Sequence, residues 1–258
     1  QDITSSLADF PLFVRFQDAD IGAIAQADGY DICFTASDGI TILNHELESF
    51  AIKHGRAFGE FWVKTDLSPS STSIYIYYGN QGQANSSSTS TWNADFAGVW
   101  HLNNTDNMNP DIMNPDSTVN GYHGYTVYGY HGYGEVEINN GIAAKGQHYS
   151  GMQDVCTSVE IVGTRLNPNL GDFTYNCWIS LDGDIDDCPI WSGAHQSDVA
   201  GYNILLGDSW YANIGDGTNY LQAAASLNVI KDSWIQLSVV IDRTASQMRT
   251  YYNGNLVS

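Results

Sequence analysis

Apolar and aromatic runs return along this chain at intervals of roughly ten residues, divided by turns of Gly, Asn, Asp and Ser, and no window of about twelve residues holds a convincing i, i+3, i+4, i+7 pattern. That rhythm demands short strands rather than helices. Phe10–Phe16 is an apolar strand whose Pro11 suits a sheet edge or a strand start. Ala27–Thr35 reads as a turn and a second strand, with Ile32 and Phe34 on one face. Ser37-Asp38-Gly39 is a turn, Ile40–Phe50 continues as strand, and Phe58–Lys64 and Ser73–Gly79 complete the series. Strands so spaced predict a small β-sandwich over residues 1–80. Gln81–Asp95, rich in Ser, Thr, Asn and Gln without strand periodicity, reads as a polar linker.

Composition narrows the partners. Nine basic residues against twenty-nine acidic ones give a formal charge of -20, which disfavours nucleic acid, since phosphate binding needs clustered Lys and Arg. Dispersed carboxylates solvate a surface and can also hold divalent cations. The chain opens at Gln1 without an initiator Met, as a mature or excised segment would, and has no apolar run long enough to span a bilayer. Four cysteines, little Lys, and abundant Tyr, Ser and Asn suit an extracellular or cell-surface location.

Asp28–Thr35, Leu43–Glu46, Phe61–Lys64 and Ile76–Asn80 occur in the order found in a secreted β-domain, the domain of unknown function 2341, which this part of the chain resembles. The resemblance covers about residues 10–100 and implies a β-sandwich placed before a lectin-like domain. Cys33 departs from that pattern, because it takes a strand position where the family tolerates polar residues.

Phe96–Asn104 then reads as the first strand of a second domain, with Trp100-His101-Leu102 as the hinge. Asp116–Gly124, Phe173–Ile179, Trp234–Val240 and Tyr251–Asn255 follow in order. Together these segments resemble the concanavalin A-like lectin and laminin G superfamily, which implies a jelly roll over residues 96–258. The whole is thus expected to be all-β: two antiparallel β-sandwiches, the second concanavalin A-like. Members of that superfamily continue into further strands, so the resemblance implies either that the polypeptide extends past Ser258 or that another chain donates the closing strand.

Candidate chemistry gathers between Trp178 and Trp191. Asp182, Asp184, Asp186 and Asp187 are four carboxylates in six residues around Gly183, a density suited to Ca²⁺, with a solvated hairpin loop as the alternative. Asp116 and Asn120 are a second candidate pair of oxygen ligands. Cys177 and Cys188 flank the Asp loop, so a hairpin there would set them opposite each other for a disulfide; two free thiols are the alternative. Cys33 and Cys156 have no assigned partner.

Trp191, Trp210 and Tyr211 form the preferred carbohydrate-stacking set, although aromatics also pack in any β-domain. Catalytic patterns are missing. Glu135-Val136-Glu137 lacks the further acids of a paired-carboxylate strand, Glu46-Leu47-Glu48 lies outside the lectin-like domain, and neither Gly-x-Ser-x-Gly nor His-Glu-x-x-His occurs. The expectation is a non-catalytic extracellular binding or adhesion module that takes a glycan or polysaccharide. Its alternatives are a structural subunit that meets copies of itself in a filament or surface layer, and a glycoside hydrolase.

Overall fold

The computed structural model describes residues 3–103, 113–128, 136–149, 157–161, 171–181, 188–192, 200–206, 210–216, 218–225 and 232–258. Two compact units divide the chain, Gln1–Leu166 and Asn167–Ser258. Both are built of antiparallel sheets, so the all-β expectation holds.

The first unit begins with β1 (Leu7–Asp18), helix α1 (Ala19–Ile24), β2 (Cys33–Thr35), β3 (Ile42–Leu43), β4 (His45–Lys53), β5 (Arg56–Leu67) and β6 (Tyr75–Tyr77). Strand order β1-β5-β4 makes one sheet and β3-β2-β6 another, with Pro11 on the edge strand β1. Alternation along β5 gives that sheet two faces. Ala57, Phe61 and Val63 are buried against Ile21, Ile32 and Phe34 to form the core. Each large apolar side chain in it contributes roughly 1.5–3 kcal/mol by leaving water. Glu60, Trp62 and Lys64 occupy the opposite face, half-buried. The β4–β5 hairpin closes on His54-Gly55, both at positive φ (51° and 73°), as a two-residue turn with the right-handed strand twist requires.

The six-residue helix α1 was not expected. It is too short to show a period, yet Asp18 caps it by accepting the backbone N–H of Ile21 at 2.8 Å. Beyond it lie β7 (Met113–Asn114), β8 (Gly124–Tyr128), β9 (Val136–Asn140), β10 (Lys145–Tyr149) and β11 (Thr157–Ile161), arranged as a β11-β8-β7 sheet and a β9–β10 hairpin.

The second unit comprises β12 (Phe173–Ser180), β13 (Cys188–Ser192), β14 (Ala200–Leu206), β15 (Trp210–Asp216), β16 (Tyr220–Ala225), β17 (Trp234–Asp242), β18 (Gln247–Tyr252) and β19 (Asn255–Leu256). Two four-stranded sheets, β12-β17-β18-β19 and β13-β14-β15-β16, share one core. Ile235, Leu237, Val239 and Ile241 from the first sheet pack with Ile204 and Ala212 from the second. Asn253-Gly254, at φ 48° and 76°, turns β18 into β19.

Three features bear on the expected organisation. Contacts group the chain into Gln1–Leu166 and Asn167–Ser258. Phe96–Asn103 forms no strand, because Leu102 takes φ 53° and the preceding residues are held back onto the first unit. The segment expected as a linker is also fixed: Ser88 N–H donates to the His45 carbonyl at 2.8 Å, and Thr91 and Trp92 are buried.

Candidate functional site

The second face of the β1-β5-β4 sheet carries the most concentrated polar cluster among the described residues. Its origin is a β-bulge in β4. Leu47 pairs with Phe61 and Ser49 with Glu60, so Glu48 is the extra residue. Strict alternation is broken there. Glu46, Glu48 and Ser49 all reach groups on the outer face of β5 or in the segment that covers it.

That covering segment supplies His101 and Trp92. His101 Nδ1 lies 2.7 Å from Glu48 Oε2, and its Nε2 makes a longer contact of 3.4 Å with Glu46 Oε1. Trp62 Nε1 donates to Glu48 Oε2 at 3.0 Å, and Trp92 Nε1 donates to Glu46 Oε2 at 2.6 Å. The Ser117 hydroxyl donates to Glu46 Oε1 at 2.6 Å. Trp62 and Trp92 rings, 5.2 Å apart, wall the cluster from water. Glu48 is 1% exposed and His101 15%.

Electrostatics follow from this enclosure. Burial alone would lower the pKa of His101, but hydrogen bonding to the two carboxylates and their charges outweigh it and raise the imidazole to about 10. Burial likewise opposes ionisation of Glu46, yet donors from His101, Ser117 and Trp92 hold its pKa below the ordinary value. The cluster is therefore an imidazolium between two carboxylates. Its carboxylate oxygens accept from internal donors, and the imidazolium clamps the covering segment to β4.

A second knot holds the same segment. Asp116, 4% exposed, accepts Val99 N–H at 2.9 Å and Thr118 N–H at 3.0 Å on Oδ1, and the Thr118 hydroxyl and Tyr122 N–H, both at 2.8 Å, on Oδ2. Asn120 spends its amide on the Phe96 and Ala97 carbonyls. Asp116 and Asn120 thus serve the backbone rather than forming the expected pair of metal ligands. Gly98 is required beside this knot, because a Cβ there would collide with the Trp100 ring.

Asp182, Asp184, Asp186 and Asp187 lie outside the described residues, and no group of three or more His, Cys, Asp or Glu side chains among the described ones is placed to hold a metal ion. The hairpin that would set Cys177 opposite Cys188 is not formed, since β12 pairs with β17 and β13 with β14 in a different sheet. Cys177 is a free thiol whose burial pushes its pKa up to about 12. Trp191, Trp210 and Tyr211 belong to one sheet. Trp191 pairs with Ile204, Trp210 with Leu206 and Ala225, and Tyr211 with Leu205 and Ala224.

The sheets and the clamp define an all-β class of antiparallel sandwich with a structural ion cluster. Residues 28–106 match the family model described as Domain of unknown function (DUF2341), a span that contains Glu46, Glu48, Trp62, Trp92 and His101. Comparison with curated proteins and with solved structures gives no match. No helix among the described residues is long and apolar enough to cross a membrane.

Proposed function

We propose that this chain is a non-catalytic extracellular binding and adhesion module whose ligand is a glycan, with a concanavalin A-like sandwich in its second unit. One observation carries the reading: Tyr30, Tyr75, Tyr77, Tyr78, Tyr125 and Trp178 are each more than a third exposed. Aromatic rings with a polar tip offer the apolar faces on which sugar C–H groups stack. The saturated bonding of Glu46, Glu48 and Asp116 supports the non-catalytic part, since these buried acids are committed to the fold. Trp191, Trp210 and Tyr211 are further stacking candidates within the second unit.

A glycan array probed with the intact chain tests the proposal, followed by isothermal titration with each hit. Binding that weakens in Tyr75→Ala, Tyr77→Ala or Trp210→Ala is the expected result. No binding to any neutral or acidic glycan would overturn it. A structural subunit of a filament or surface layer is the second reading, favoured by Ile40 and Ile42, 81% and 75% exposed, beside the edge strand β3. Electron microscopy showing ordered assemblies, with an empty array, would put that reading first.

A further inference from the structure

The second unit contains an open cleft of about 390 Å³ where the two sheets of its sandwich part at one end. Ile214 and Leu221 line it from one sheet, and Ile241 and Met248 from the other. This floor runs from the core outward: Ile241 is 6% exposed and Leu221 is 54% exposed. Above it stand Asn219, Asp242, Arg243 and Gln247.

Two of those polar groups are fixed before any ligand arrives. Asp242 Oδ1 accepts Ala245 N–H at 2.8 Å, and Oδ2 accepts from the Arg249 guanidinium at 3.1 Å. Arg243 N–H donates to Asp172 Oδ1 at 2.7 Å, its Nε donates to the Gly171 carbonyl at 3.1 Å, and its guanidinium lies 5.9 Å from the Phe173 ring centre. The Asp242 carboxylate and the Arg249 guanidinium, 3.1 Å apart, cancel most of each other's field. An anion or a cation therefore gains little there, and a chain with a formal charge of -20 repels anions further. A neutral ligand with many hydroxyls meets what it needs: acceptors on Asp242, donors on Arg243, and both on the Gln247 side-chain amide. Its C–H faces would cover the aliphatic floor, and the volume lies in the range of small-ligand sites.

We infer that this cleft, lined by Ile214, Leu221, Met248, Asp242, Arg243 and Gln247, binds one or two residues of a neutral polysaccharide. The inference rests on the glycan-binding reading and names a site for it. The site is toward the far end of β15 from Trp210, since Ile214 and Gly215 lie just before that strand's last residue, Asp216.

The test uses the intact chain and neutral oligosaccharides: cellohexaose, xylohexaose, mannohexaose and laminarihexaose. Two exposed positions are changed, Leu221→Arg to occupy the cleft and Gln247→Ala to remove one polar partner, with thermal melting as the check on folding. The expected result is binding weakened by about tenfold or more in Leu221→Arg and severalfold in Gln247→Ala. Ligand-induced shifts in NMR should include the side-chain amides of Asn219 and Gln247. If an oligosaccharide binds with unchanged affinity to both variants and those amides do not move, the cleft is refuted while the glycan reading stands. If none of these sugars binds and the glycan array is also empty, both fall. If only acidic glycans bind, the cleft assignment is overturned, because its paired charges and the chain's net negative charge disfavour them.

Discussion

Replacing His101 by Ala removes the cation from between Glu46 and Glu48, and the loss can be sized from its surroundings. Glu48 is 1% exposed and would keep the donor Trp62 while losing its 2.7 Å ionic partner. Glu46, 19% exposed, would keep Trp92 and Ser117. Breaking a buried pair by deleting one member costs about 3–5 kcal/mol, since a charge is left without compensation. A drop of roughly 6–20 °C in melting temperature follows for a unit of this size. Urea unfolding followed by Trp fluorescence measures it, because Trp62 and Trp92 enclose the cluster. The pH dependence supplies a second readout. The folded pKa of about 10 lies above the ordinary 6.5, so this stabilisation is full below about pH 6.5 and is lost as pH rises through 10. Glu46, with its depressed pKa, contributes in the opposite sense, and its share is lost as acid carries the pH through that value. His101→Ala should flatten the alkaline slope. A stability loss under about 1 kcal/mol, the size of an exposed pair, with the slope intact would refute a buried imidazolium clamp.

Asp116→Ala should destabilise the first unit by on the order of 3 kcal/mol, since the buried Thr118 N–H and the part-buried Val99 and Tyr122 N–H groups lose their acceptor; a change within 0.5 kcal/mol in chemical unfolding would contradict this. Cys177 should resist iodoacetamide at pH 8 in the folded chain and react after denaturation, as peptide mass spectrometry would record; rapid labelling of native protein would show that the thiol is not buried as described. Gly98→Ala should lower stability by forcing the Trp100 ring off its seat, and an unchanged melting temperature would remove that packing constraint. The Asp182, Asp184, Asp186 and Asp187 cluster is proposed to bind Ca²⁺, so EDTA should lower the melting temperature and added calcium restore it; no shift with either reagent would dismiss the site.

Fold class and individual strands were legible from the chain because their causes are local. Alternating apolar residues in Phe58–Lys64 and Trp234–Val240 specify strands with one buried face, and both lie within observed strands. Asp38 bonds the backbone of Ile40 and Thr41 three residues away or closer, so the Ser37–Gly39 turn was readable too. Organisation beyond neighbouring strands was not. Serine and asparagine in Gln81–Asp95 look like a linker by composition, yet Trp92 is bonded to Glu46, a partner distant in sequence that no local pattern names. The clamp illustrates the limit best: Glu46-Leu47-Glu48 and Trp100-His101-Leu102 were both visible, but strict alternation could not reveal the bulge that turns Glu48 with Glu46 toward the covering segment. Pairing of Cys177 with Cys188 failed for the same reason, since flanking one loop implies a hairpin only if the strands are neighbours. Tertiary structure put β17 beside β12 instead, because burying Leu237 and Val239 in the sandwich core outweighs proximity along the chain.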